Sequence, residues 1–157
     1  MLYRGSRDGF NASAFHTTCN GKNNTVTIIL DDLNYVFGGY TALEWKSDYT
    51  YGNDIAAFIF SLRQNDINNG LKFKIRDSTT AIWNNPLTGP AFGSYIGYDY
   101  CDILVGYNAD FSNYADFGAS YALPNQFEFQ DQNARSYLAG SFSSWNIAEI
   151  EVYQIIF

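Results

Sequence analysis

The sequence predicts a mainly β protein with short helices, folded as a two-layer antiparallel β-sandwich. Short apolar runs of strand length recur along the chain, separated by Gly, Asn, Asp and Pro, which favour turns. No helix long enough to connect parallel strands is indicated between them, so antiparallel sheets are favoured. The chain has 157 residues, of which 46% are hydrophobic and 16% charged, enough to bury one core. We therefore predict a single domain over residues 1–157.

The first predicted element is a helix of two turns. Asn11 is a suitable N-cap, and Ala12, Phe15 and Cys19 recur at helical spacing after it. The pair Asn20-Gly21 would end this helix.

A β-hairpin follows the helix. Val26, Ile28 and Leu30 alternate with Thr25 and Thr27, as in a half-buried strand. Residues 31–34 read as a turn, and residues 35–40 as the return strand. The pair Gly38-Gly39 in that strand predicts a bulge or a close approach of another backbone.

The rest of the chain predicts one loop and a series of strands. Residues 41–54 read as a loop, although Thr41 and Glu44 have the spacing of a capping box and could begin one helical turn. Residues 56–62 form an apolar run typical of a central strand, and residues 71–76 alternate between apolar and cationic side chains, as in a half-exposed strand. Further strands are predicted at residues 81–83, 91–96, 102–105 and 147–156.

The charge of the chain limits its partners. Nine Lys and Arg against sixteen Asp and Glu give a net charge of -7, and the cations are scattered. Nucleic acids and anionic membrane surfaces attract clustered cations, so neither is expected to bind, and a basic or neutral protein partner fits better. No segment is long and apolar enough to insert into a membrane.

No catalytic or metal-binding constellation is evident. His16 is the only histidine and falls on the short helix, which leaves no second imidazole for a metal site. It is expected to be a partly buried residue of the helix face. No nucleophile elbow or phosphate-binding glycine loop is present. We therefore predict no enzyme activity, no cofactor and no metal.

Two alternatives for function remain open. Oxygen-rich loops and many loop tyrosines could form a lectin-like or calcium-dependent ligand site. The acids concerned are Asp31, Asp32, Asp48, Asp54, Asp99, Asp102, Asp110 and Asp116. A peroxide-consuming thiol at Cys19 or Cys101 is the second alternative, although free buried thiols are the expected state of both.

Several motifs in register resemble the TLDc domain family. They are LYRGSRDGFNASAFH at residues 2–16, YVFGGYT at residues 35–41, Trp45, FIFSL at residues 58–62 and IEVYQ at residues 150–154. The resemblance spans nearly the whole chain. It implies a β-sandwich flanked by short helices, in agreement with the strand pattern.

The resemblance also implies a function. Proteins of this family are associated with oxidative-stress resistance and with binding the vacuolar H+-ATPase, and no accepted enzyme activity belongs to the domain. We therefore expect a cytoplasmic protein-interaction domain that is recruited to organelle membranes through its protein partner. The helical segment that commonly precedes the first motif in the family is missing, so a piece of a longer multidomain protein is expected.

A contact surface for the partner is expected around the second motif. The residues proposed for it are Gly38, Gly39, Tyr40 and the loop of Trp45, with Glu149 and Glu151 as charged residues at its rim. Gly-rich hairpins on a rigid scaffold can present such a surface without any reactive side chain.

Overall fold

The computed structural model describes residues 1–95, 100–107, 112–143 and 145–156. The strands are β1 (Tyr3–Arg4), β2 (Thr25–Asp31), β3 (Val36–Thr41), β4 (Tyr51–Gly52), β5 (Phe58–Gln64), β6 (Ile67–Lys74), β7 (Ile82–Trp83), β8 (Thr88–Phe92), β9 (Ile103–Gly106) and β10 (Ile147–Gln154). The helices are α1 (Gly5–Asp8), α2 (Ala12–Cys19) and α3 (Gln132–Arg135), with a 3₁₀ turn at Ser78–Thr80.

The strands form two antiparallel sheets. The larger sheet has six strands in the order β1-β10-β2-β3-β5-β6, and the smaller sheet has four in the order β4-β7-β8-β9. Side chains from the facing sides of both sheets, such as Ile29, Ile59, Ile82 and Phe92, belong to one buried core. The mainly β, two-layer antiparallel architecture predicted from the sequence is confirmed.

Helix α2 closes one end of this core. Its bounds are those predicted, and the Asn11 side chain caps it by accepting a hydrogen bond from the N–H of Ala14 at 2.8 Å. Phe15 of α2 packs edge-on against Trp45, and Trp45 packs edge-on against Phe92 of β8. An aromatic row therefore joins the helix to the smaller sheet.

The predicted hairpin is confirmed as β2 and β3. Gly38 and Gly39 mark a close approach and not a bulge, because the register shift lies between Val36 and Phe37. A Cβ at Gly38 would collide with the backbone carbonyl of Thr27, and one at Gly39 would lie 2.6 Å from the ring of Phe92.

The facing of β2 is unusual. In a half-buried strand the apolar positions normally face the core. Here Thr25, Thr27, Ile29 and Asp31 are buried, whereas the alternate positions 26, 28 and 30 are only partly covered. The strand was predicted from its alternation, but its apolar triplet faces away from the core.

The remaining strand predictions are confirmed with shifted ends. Strand β5 lies between β3 and β6, as expected of a central strand, but starts at Phe58. In β6, Phe73 is buried and both lysines are exposed, as predicted. Ile96, at the end of one predicted strand, lies outside the described residues. The helical turn considered at residues 41–44 is wrong, since Thr41 ends β3 and accepts a hydrogen bond from the N–H of Leu43.

Candidate functional site

The outward face of the six-stranded sheet is apolar across its three middle strands. Directly opposed residues of an antiparallel sheet point to the same side, so the strand register identifies the members of this face. We call it the outer sheet face, and its apolar members are Val26, Ile28 and Leu30 of β2, Val36 of β3, and Phe58, Phe60 and Leu62 of β5. None of the seven belongs to the buried core clusters of the described residues.

Two cross-strand rows organise the outer sheet face. One runs from Glu151 through Ile28, Gly38 and Phe60 to Lys72, and the other from Tyr153 through Val26, Tyr40 and Phe58 to Lys74. The absence of a side chain at Gly38 lets the Phe60 ring lie over its backbone, 3.0 Å from the position of a Cβ. Tyr40 and Phe58 stack with ring centroids 5.2 Å apart. The face is therefore level and aromatic in its middle.

Charged side chains border the outer sheet face along its two long edges. On the β6 edge, the ammonium of Lys72 lies 3.8 Å from the centroid of the Phe58 ring. Neither Lys72 nor Lys74 takes part in an ion pair in the described part of the chain. The β10 edge carries the two glutamates, whose charge is partly neutralised by Arg4.

Four of the six residues expected at a contact surface lie together here. Gly38 and Tyr40 lie in the two rows, and Glu149 and Glu151 form the β10 edge. Gly39 points to the opposite side, against Phe92 in the core. Trp45 is 1% exposed and donates a hydrogen bond to Thr25 Oγ1 at 2.9 Å, so its side chain supports the core and offers no surface. The partner-binding role of these residues stays a prediction.

Glu149 has a clear structural task as well. It accepts hydrogen bonds from the guanidinium of Arg4 at 3.0 Å and from the Ser6 N–H at 3.1 Å, which fastens α1 to β10. Partial burial would raise the pKa of this carboxyl, but hydrogen bonds from Ser6 and Arg4 outweigh it and lower the pKa to about 2. Glu149 is therefore ionised at neutral pH.

A family comparison accounts for this arrangement. The family model of the TLDc domain matches residues 1–156. The chain belongs to the TLDc domain family. A comparison with curated proteins gave no significant match.

The loop that carries Trp45 in this TLDc domain is fixed by a buried carboxylate. Asp54 accepts hydrogen bonds from Thr41 Oγ1 at 2.8 Å, from the Ala42 N–H at 2.7 Å and from the Ala56 N–H at 2.9 Å. It therefore holds both ends of the loop between β3 and β5. This role is invisible in the sequence, because an Asp in a loop is usually solvated.

His16 has a structural place in the TLDc domain. Its Nε2 lies 3.0 Å from the carbonyl oxygens of both Asn85 and Thr88, and its Nδ1 lies 2.9 Å from Asn20 Oδ1. The ring thus links α2 to the segment between β7 and β8. No Ser or Cys is hydrogen-bonded to it, in keeping with the expectation of a partly buried helix-face residue.

The two cysteines of the TLDc domain are free and buried. Burial raises the pKa of the Cys19 thiol to about 11. A peroxide-reactive cysteine needs an accessible thiolate, so the site of Cys19 is unfavourable for that chemistry.

The loop acids considered for calcium are dispersed in the TLDc fold. Asp31, Asp54 and Asp102 each accept backbone N–H groups, and Asp116 pairs with Arg135 at 2.9 Å. Asp99 and Asp110 lie outside the described residues. Elsewhere in the chain, no three His, Cys, Asp or Glu side chains are placed to share a metal ion.

Sequence reasoning missed the apolar members of the outer sheet face. The alternation in β2 gave the period but not the side that faces the core. A signal was available, because residues 58–62 and residues 26–30 are both apolar at the positions that share a face once the hairpin is paired.

Proposed function

We propose that this TLDc domain is a non-enzymatic protein-interaction domain that docks its partner on the outer sheet face. The observation that carries the proposal is the set of apolar side chains on three adjacent strands, directed away from the core. The expected partner is the vacuolar H+-ATPase, and the expected role is in oxidative-stress resistance, as the family implies.

The physical argument begins with the exposure of apolar side chains. Contiguous apolar patches on a soluble domain usually mark an interaction site, whereas single exposed apolar residues do not. Leu62 is 43% exposed beside Phe58 and Phe60, so a partner can cover all three side chains together. Aromatic and aliphatic anchors of this kind supply most of the binding free energy in protein interfaces.

The charged border suggests what the partner presents. Although the chain as a whole is negative, the β6 edge of the outer sheet face carries Lys72 and Lys74 without acidic partners among the described residues. We therefore expect an apolar segment of the ATPase with carboxylates along one side, and not the basic or neutral partner that net charge alone favours.

The non-enzymatic part of the proposal rests on the state of the reactive groups. His16 is bound to backbone carbonyls, and both cysteines are buried. An adaptor needs only a stable surface, which the two packed sheets provide.

A cytoplasmic location with recruitment to organelles belongs to the same proposal. In the described residues, no helix has the length and apolar character needed to cross a bilayer. Contact with an organelle would then come through the bound ATPase.

The proposal can be tested with purified soluble sector of the vacuolar ATPase and the immobilised chain. The wild-type chain is compared with Leu62→Glu, which places a carboxylate on the outer sheet face near its lysine edge. Ile67→Glu is the matched control, because Ile67 is 71% exposed and lies opposite Gln64, which bonds to Tyr137 on the other side of the sheet.

We expect wild type and Ile67→Glu to retain the ATPase subunits and Leu62→Glu to lose them by about tenfold or more. Absence of binding by the wild-type chain would overturn the partner. Equal binding by all three chains would overturn the surface.

A further inference from the structure

A second surface lies on the opposite side of the sandwich, at the open edge of the four-stranded sheet. Tyr49 is 60% exposed and Tyr51 is 40% exposed. Tyr51 stacks on Trp83 of β7, with ring centroids 6.3 Å apart and an angle of 26° between the planes. We call these three residues and the adjoining cleft the aromatic cleft.

The loop that presents the two tyrosines is held rigidly by Asn84. This buried residue accepts hydrogen bonds from the N–H of Tyr49 through its carbonyl, at 2.9 Å, and from the N–H of Lys46 through its side chain, at 3.0 Å. Its own N–H donates to the Thr50 carbonyl at 2.9 Å. The tyrosine rings are therefore positioned before any ligand arrives, which lowers the entropic cost of binding.

Tyr49 is also held in a conformation that its side chain disfavours. Its φ of 60° lies in the left-handed region, which is uncommon for an aromatic residue. Strain of this kind persists where the surrounding structure imposes it, and it is often found at binding sites. Here it directs an exposed ring outward beside Tyr51.

Two kinds of hydrogen-bonding group face the aromatic cleft without a partner. Among the described residues, none accepts a hydrogen bond from the indole N–H of Trp83. Thr50 and Gly52 accept hydrogen bonds from Asn84 and Ala81, so the backbone N–H and C=O of Tyr51 point to the other side of β4. That side opens on a cleft of about 290 Å³, lined by Leu43, Glu44, Lys46, Thr50, Tyr51, Gly52, Asn53 and Asn84.

The local charge is negative. Glu44 and Asp48 stand against the single cation Lys46, and a hydrogen bond from Thr50 holds the pKa of Asp48 below its ordinary value. Asp48 is therefore ionised at neutral pH, and a ligand with a positive charge is favoured.

We propose that the aromatic cleft binds an extended proline-rich segment that carries a basic residue beside its prolines. Such segments lie in aromatic grooves because their proline rings pack between Tyr and Trp side chains, while single donors reach their carbonyls. The exposed rings, the free Trp83 donor and the acidic rim provide these three features. A sugar fits less well, because the polar side chains near the rings are committed to Asn84 contacts and to the Glu44–Lys46 pair.

The test uses fluorescence anisotropy with a labelled polyproline peptide that ends in arginine. A Gly-Ser peptide of equal length and charge is the control for electrostatic attraction alone. Tyr49→Gly removes the ring at a position where glycine is preferred, so the fold should be retained. Trp83→Phe removes only the donor, and Ile67→Ala is the control on the other sheet.

We expect the wild-type chain to bind the proline peptide and not the Gly-Ser peptide. Tyr49→Gly and Trp83→Phe should each weaken binding by about tenfold, whereas Ile67→Ala should not. No binding of the proline peptide, equal binding of both peptides, or unchanged binding by both cleft variants would overturn the proposal. Binding of a saccharide panel without binding of the peptide would also overturn it. Capture of the ATPase should survive Tyr49→Gly, so this proposal and the proposed function can fail separately.

Discussion

Asp102 illustrates how single buried polar residues fix the loops of this fold. One carboxylate oxygen accepts the N–H groups of Gly118 and Ala119 at 2.7 and 3.1 Å, and the other accepts the N–H of Ser120 at 2.7 Å. The residue is fully buried at the start of β9. It therefore anchors the segment after residue 112 to the smaller sheet.

Replacing Asp102 by asparagine should destabilise the fold by about 2–4 kcal/mol, because one of the two accepting oxygens becomes an amide donor that faces backbone donors. Urea unfolding at neutral pH measures the loss. The control is Asp131→Asn, since Asp131 caps α3 and asparagine caps helices equally well. Equal stability of Asp102→Asn and wild type would contradict this role.

The cysteines allow a second test at the level of single residues. Cys19 and Cys101 are buried, and the pKa of Cys19 is raised to about 11 by its burial. Native protein at neutral pH should react with a thiol reagent much more slowly than protein unfolded in denaturant. Rapid titration of either thiol in the native state would revive the peroxide-scavenging alternative.

At the scale of elements, the sequence was most informative where local chemistry decides the structure. Helix α2 could be bounded from its N-cap and its terminal Asn-Gly, and β2 from its alternation. The facing of β2 could not be predicted, because it depends on Trp45 bonding to Thr25 and on Gly39 meeting Phe92, contacts between residues distant in sequence. The two-residue strands β1 and β4 were missed for the same reason, since tertiary pairing defines them.

The close approach of the two sheets at Gly39 gives a test of element packing. Gly39→Ala places a Cβ 2.6 Å from the ring of Phe92, which is itself buried, and should destabilise the fold by about 1–3 kcal/mol. Gly70→Ala is the control, because nothing lies within 4 Å of its Cβ. There the loss of backbone freedom in the unfolded chain should make the change neutral or stabilising by up to about 1 kcal/mol. Similar denaturation midpoints for the two variants would contradict the sheet contact.

The attachment of α1 to β10 should depend on pH through Glu149. Its pKa is lowered to about 2 in the folded state, so the unfolded chain binds more protons below the ordinary glutamate value. The stability that Glu149 contributes is complete above about pH 5 and is lost as the pH falls toward 2. Glu149→Gln should be less stable than wild type at neutral pH, and the difference should shrink on acidification. A difference that stays constant across this range would exclude the ionised carboxylate as its source.

At the scale of the whole molecule, the two outward surfaces divide the function. The outer sheet face is apolar with a lysine edge, whereas the aromatic cleft is aromatic with an acidic rim. They lie on opposite sides of one rigid pair of sheets, so occupation of one surface leaves the other free. A domain without reactive groups can in this way join two protein partners.

The most direct test of the outer sheet face is photo-crosslinking from a benzophenone side chain placed at Leu62. With the soluble sector of the vacuolar ATPase present, illumination should link this position to an ATPase subunit. The same side chain at Leu87, which is 47% exposed on the segment between β7 and β8, should give no link. Crosslinking from position 87 and none from position 62 would contradict the account.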